Sequence, residues 1–144
     1  MSGPIYDLQA ALFAALTNDA TLRTMLGQAH GRTFTPSDVP VFGGPPTNQA
    51  FPYVTLNLVA ATDFDHSDRF GRDAIFDVHA WGRGQSPALA FQIDAEIVRI
   101  VRGIASTGRP TALVLIRNTS TRLVVEEDGL THQVVSTFRA LAQE

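Results

Sequence analysis

The chain has 144 residues, a net charge of −3 and no cysteine, enough length to bury about 70% of its unfolded surface and no means to make a disulfide or a thiolate metal site. All 11 basic residues are arginines, spread from Arg23 to Arg139 without a run, which excludes the clustered positive charge that draws proteins onto duplex DNA. No segment approaches the roughly 20 apolar residues of a membrane span and the first residues lack a secretory signal, so assembly in the cytoplasm, away from membranes, is expected.

Pro4 suits a first helical turn, with Ser2 before it as a candidate cap. Ile5, Leu8, Leu12 and Leu16 then recur at helical spacing, and the helix should end near Asn18. Asp19 can cap a second, short helical turn that buries Leu22, Met25 and Leu26, with Gly27 as its stop. From His30 to Ala50 the chain carries Pro36, Pro40, Gly43, Gly44, Pro45 and Pro46, too many breakers for a helix or a central strand. A loop this long in a compact domain is usually functional or mobile.

"PYVTLNLVAA", Pro52 to Ala61, alternates: Val54, Leu56, Leu58 and Ala60 share one face, and Tyr53, Thr55, Asn57 and Val59 the other. In "DAIFDVHAWG" Ala74, Phe76, Val78 and Ala80 do the same, leaving Ile75, Asp77, His79 and Trp81 on the second face. Two antiparallel strands are expected, joined by the acidic stretch "ATDFDHSDRFGRD". A helix should start at Ser86 with Pro87 at its first position. Leu89, Ile93, Ile97, Ile100 and Ile104 make its apolar stripe, while Asp94, Glu96, Arg99 and Arg102 face out. After "STGRP", "TALVLIRNTSTRLVVEE" reads as extended, with a break near Asn118, and Asp128-Gly129 turns the chain into a last strand, Thr131 to Leu141. The order αββαββ implies one α+β domain over residues 1–144, with an antiparallel or mixed sheet of about four strands and helices on one face.

Three constellations invite chemistry. The acidic stretch fails as a calcium loop: counting from Asp63, the sixth position is Asp68 and the twelfth Ala74, where glycine and glutamate are required. A solvated hairpin tip is the better reading, because Asp and Ser are ordinary turn residues. "GQSPA" resembles a nucleophile elbow at Ser86, with Asp128 and His132 following in hydrolase order. The last glycine is missing, however, Pro87 beside Ser86 suits a plain helix cap, and the expected sheet is not the parallel hydrolase core. Glu126 and Glu127 are adjacent and point to opposite faces of a strand, so they cannot share one acid–base site. No catalytic residue, cofactor or metal is assigned. The second sheet face does stand out, with Tyr53, Val59, Ile75 and Trp81 among polar neighbours, a mixture typical of protein interfaces. Scattered, functionless exposed apolar residues are the alternative.

The run of signals resembles the tail-completion, or tail-terminator, proteins of long-tailed bacteriophages and gene transfer agents. "LQAALFAAL", "TLRTMLG", "FPYVTLNL", the acidic hairpin with "GRD", "FDVHAW", "ALAFQIDAEIVRIV" and "EEDGLTHQVVSTFRALAQE" carry it over nearly the whole chain. "VFGGPPTNQA" departs from it, as a longer connection than usual. The resemblance implies a structural virion protein and not an enzyme: a homo-oligomeric ring, a hexamer, at the head-proximal end of the tail. Such a ring stops growth of the tail-tube protein, meets the head-completion or connector protein and lets DNA pass through its lumen. Its candidate interaction residues here are Tyr53, Ile75, Asp77 and Trp81 on the second face and Asp63, Asp65, His66, Asp68, Arg69 and Arg72 in the hairpin. The Thr33 to Ala50 loop is a further docking element, since contacts concentrate on loops carried by a rigid sheet.

Overall fold

A computed structural model describes residues 4–44, 46–63, 71–106 and 113–143. Helix α1 spans Pro4–Asn18 and α2 Ala20–His30; strand β1 is Val41–Phe42, β2 Tyr53–Asp63 and β3 Gly71–Arg83; helix α3 is Ala88–Ser106, and β4, Leu113–Val125, precedes β5, Thr131–Gln143. The strands form one mixed sheet in the order β1-β2-β3-β5-β4, with five strands where about four were expected. The additional one is β1, a two-residue strand inside the proline-rich connection that pairs in parallel with Val54 and Thr55. Among the described residues all other pairings are antiparallel.

The helices pack on one face, over a core that includes Leu12, Leu16, Leu26, Leu56, Ile93, Ile97, Val134 and Phe138. Burying each such side chain contributes roughly 1.5–3 kcal/mol. Phe76 and Phe138 stack at its centre, 5.4 Å apart. Asp19 caps α2 as the sequence suggests, accepting from the Leu22 N–H at 2.9 Å, and it also pairs with Arg99, clamping α2 to α3.

Four local expectations are corrected. The second helix has 11 residues and runs through Gly27 to a stop at Gly31, whose φ of 72° lies in the left-handed region. Gly27 serves close approach instead, because a Cβ there would lie 2.4 Å from the Arg32 carbonyl oxygen. Asp94 does not face out: it is 6% exposed and accepts a hydrogen bond from the Ser136 hydroxyl of β5. On the helical wheel Asp94 neighbours Ala90 and Ile97 on the buried side, and Ser136 supplies the donor that makes burial tolerable. In β2 a bulge at Val59 shifts the register between Leu58 and Ala60, so Ala60 pairs with Ile75 and leaves the face that it was expected to share with Val54, Leu56 and Leu58. The break expected near Asn118 is likewise a register shift between Asn118 and Ser120 within a continuous β4.

Candidate functional site

The sheet face opposite the helices is built by register. Tyr53, Trp81, Gln133 and Val124 form one row across β2, β3, β5 and β4; Thr55, His79, Val135 and Arg122 form the next, and Asn57, Asp77, Thr137 and Ser120 the third. Tyr53, Ile75, Asp77 and Trp81 thus share one surface, as the alternation in β2 and β3 implies. Asp63 and Arg72 are paired positions of β2 and β3 whose side chains lie outside the described residues, as do Asp65, His66, Asp68 and Arg69 entirely.

This face is ordered by its own side chains. Trp81 stacks on Tyr53 at 5.7 Å and on His79 at 6.0 Å, while its indole N–H donates to Thr55 Oγ1 at 3.1 Å. Phe42 and Phe51 extend the aromatic ladder beyond Tyr53. His79 Nδ1 lies 2.7 Å from Gln133 Oε1, an acceptor, so Nδ1 carries the proton and Nε2 can accept from Asn57 Nδ2 at 3.4 Å. Gln133 in turn donates to Glu126 Oε1. Lower on the face, the Thr137 hydroxyl donates to Asp77 at 2.6 Å and Arg139 grips Asp73 through two nitrogens. The guanidinium beside Asp73 holds its carboxyl below the ordinary range, and burial pushes the Tyr53 hydroxyl up. Thr55 and Val135 are almost fully buried on a face that no described helix covers, so their neighbours form a lid of side chains.

Gln133, Thr137 and Arg139 belong to this lattice without any motif in the sequence that marks them, and Glu126, which the sequence offers only as half of an unsuitable acid–base pair, joins it through Gln133. The alternation of "THQVVSTFRAL" places the β5 members on one face. Nothing local says that β5 lies beside β3, which is what joins them to His79 and Asp77.

The hydrolase constellation is not assembled. Ser86 Oγ accepts from the Ala88 N–H at 3.2 Å, as a helix cap does. Asp128 accepts from the Leu130 and Thr131 backbone N–H groups and the Thr131 hydroxyl, which, with Arg83 nearby, hold its carboxyl down at about 2. His132 is buried between Gly82 and Val125, and neither ring nitrogen has a hydrogen-bond partner. Among the described residues no group of three or more His, Asp or Glu is placed to hold a metal ion, and no described helix is long and apolar enough to cross a membrane.

Residues 10–143 match the family model described as tail completion protein gp17. Among solved structures, a chain from the virion of a native gene transfer agent particle is 22% identical with a TM-score of 0.78, and the match covers 100% of both chains. The gp17 protein of bacteriophage SPP1 is also 22% identical, with a TM-score of 0.55 over 94% of this chain and 88% of that one. At this identity the two structures show a shared fold. No curated protein matches the chain.

Proposed function

The chain belongs to the tail completion protein gp17 family, and we propose that it forms a ring, a hexamer, that ends polymerisation of the tail tube and joins the tail to the head-completion or connector protein. Membership makes it a structural protein of a virion tail; the ring, its copy number and its partners extend that statement. The likeness to a chain of a gene transfer agent virion supports a phage or gene transfer agent particle as its setting. It acts as one domain spanning residues 1–144.

The observation that carries this reading is the uncovered sheet face. Its aromatic and polar side chains are held in place by one another, so a partner meets a preorganised surface and little ordering entropy is lost on docking. Ile75, 38% exposed, and the Tyr53–Trp81 stack supply apolar area there. The acidic hairpin from Asp63 to Asp73 and the Thr33 to Ala50 loop extend the contact with tube or connector. DNA passes without sequence-specific binding: Arg83, Arg122 and Arg139 each face an acid, Asp128, Asp77 and Asp73 respectively, which reduces the positive charge free to hold phosphates.

The test is the mass of the purified protein by light scattering, with negative-stain images, alone and after mixing with its tail-tube protein. A closed ring, free or at one end of each tube, is expected, with tube growth arrested. Replacing Asp63, Asp65 and Asp68 by Ser, or Trp81 by Ala together with Ile75 by Ser, should preserve the fold and weaken capping. A protein that stays monomeric in both samples and leaves tube growth unchanged overturns the reading.

A further inference from the structure

We propose that successive copies join head to tail, the apolar row on the free edge of β4 in one copy seating in the groove between α1 and the β1 segment of the next. This rests on the ring reading and specifies its contact. Ten large apolar side chains are exposed among the described residues, and eight of them lie at the two opposite edges of the sheet. Leu123, Val125 and Leu130 are 41–53% exposed on β4 and the turn after it, and Leu115, exposed on the other side of the strand opposite Leu141, lies outside this row. Tyr6, Phe13, Leu58 and Val59 are 39–67% exposed around the β1–β2 edge. Apolar side chains concentrated in this way mark an interaction surface.

The two edges differ in shape. Beside β1 lies a mainly apolar groove of about 520 Å³, walled by Tyr6, Ala10 and Phe13 of α1 and by Pro36 and Gly43, with Leu56 on its floor. On β4, Leu123 and Val125 pair with Val134 and His132, which puts them on the helix side of the sheet, the same side as the groove. One edge offers protruding side chains and the other a recess in the same layer, so the surfaces complement each other between copies and not within one.

Both edges also have backbone to cover. Among the described residues β4 has a strand partner on one side only, and β1 covers just Val54 and Thr55 of β2, leaving the rest of that edge unpaired. Open edges of this length are normally covered or defended. Pairing β4 with β4 of another copy about a two-fold would bring the stretch containing Arg117 and Arg122 against itself, and like charges facing across strands are destabilising. Contact between two different edges has no such conflict. It is heterologous, and a heterologous contact repeated with a closing rotation makes a ring.

The absence of native cysteine makes the test direct. Phe13→Cys and Val125→Cys proteins are prepared singly and as a double variant, assembled alone or on tail tubes, and treated with a short bis-maleimide. Cross-linking between the two single variants when mixed, none within either alone, and a ladder in the double variant that ends at the ring mass are expected. Rings that form without a 13–125 cross-link overturn the contact and leave the ring standing. Self-linking of the Val125→Cys protein shows a two-fold β4 pairing and overturns it too. Failure of the wild type to form rings in any sample removes the ring reading itself. As a second variant, Leu123→Asp with Val125→Asp should abolish ring formation at an unchanged far-ultraviolet spectrum; rings formed as by wild type count against the proposal.

Discussion

Replacing Gly27 by alanine sets two effects of opposite sign against each other. Within a helix, alanine is more stable than glycine by about 1 kcal/mol, because less backbone entropy is lost on folding. At this position the new Cβ would stand 2.4 Å from the Arg32 carbonyl oxygen. That oxygen is backbone and cannot swing aside. The Arg32 N–H is bonded to the Gly27 carbonyl at 2.9 Å, and Gly31, in the left-handed conformation, turns the chain back over the helix end. Relieving the clash means loosening the cap, at about 1 kcal/mol for each backbone bond lost, or accepting overpacking strain of about 1–3 kcal/mol. Set against the alanine gain, the net expectation is a loss of about 1 kcal/mol, or about 2–4 °C in Tm for a chain of this size. Gly103 in α3 is the control, since a Cβ there meets nothing within 4 Å. Gly103→Ala should therefore gain a few tenths to 1 kcal/mol, raising Tm by about 1–4 °C. Thermal melts followed by circular dichroism, at one fixed protein concentration, compare the three proteins. A Gly27→Ala protein as stable as wild type would refute the pinned-carbonyl argument.

Asp94 is buried, and desolvation raises its carboxyl above the ordinary range in spite of the hydrogen bond donated by Ser136. A carboxyl with a raised folded pKa costs stability when ionised, and that cost disappears as pH falls through the folded value. Asp94→Asn, which can still accept from Ser136, should therefore be more stable at pH 7, with the difference shrinking under acid; a less stable variant at pH 7 would show that the charged bond outweighs desolvation. Asp128 has the opposite sign: its folded carboxyl lies at about 2, held first by the Thr131 backbone N–H. Its contribution is complete above the ordinary carboxylate range and is lost as pH falls toward 2. The Tm gap between wild type and Asp128→Ala should thus be present at pH 7 and close between about pH 4 and 2; a gap constant across that range would refute the turn's dependence on ionised Asp128.

What could be read from the sequence was local. The α3 stripe from Leu89 to Ile104, the Asp19 cap, the alternation that groups Tyr53 with Thr55 and Asn57, and the Asp128-Gly129 turn with its positive φ at Gly129 all depend on residues a few positions apart. Their physics lies in backbone preferences and a period of 3.6 or 2, which need no knowledge of distant chain. With the family resemblance, these signals sufficed for an α+β tail completion protein. Tertiary structure decided the rest. Gly27 and Gly31 are both plausible helix stops until Arg32 folds back over one of them, and Asp94 is an ordinary exposed acid until Ser136, 42 residues later, offers a hydroxyl. The proline-rich connection contains a strand only because β2 presents an edge to Val41 and Phe42. The hydrogen-bonded face exists because β5 enters between β3 and β4, bringing Gln133 to His79 and Thr137 to Asp77. Strand order depends on which apolar faces can be buried together across dozens of residues, and a periodic pattern carries no record of its neighbour.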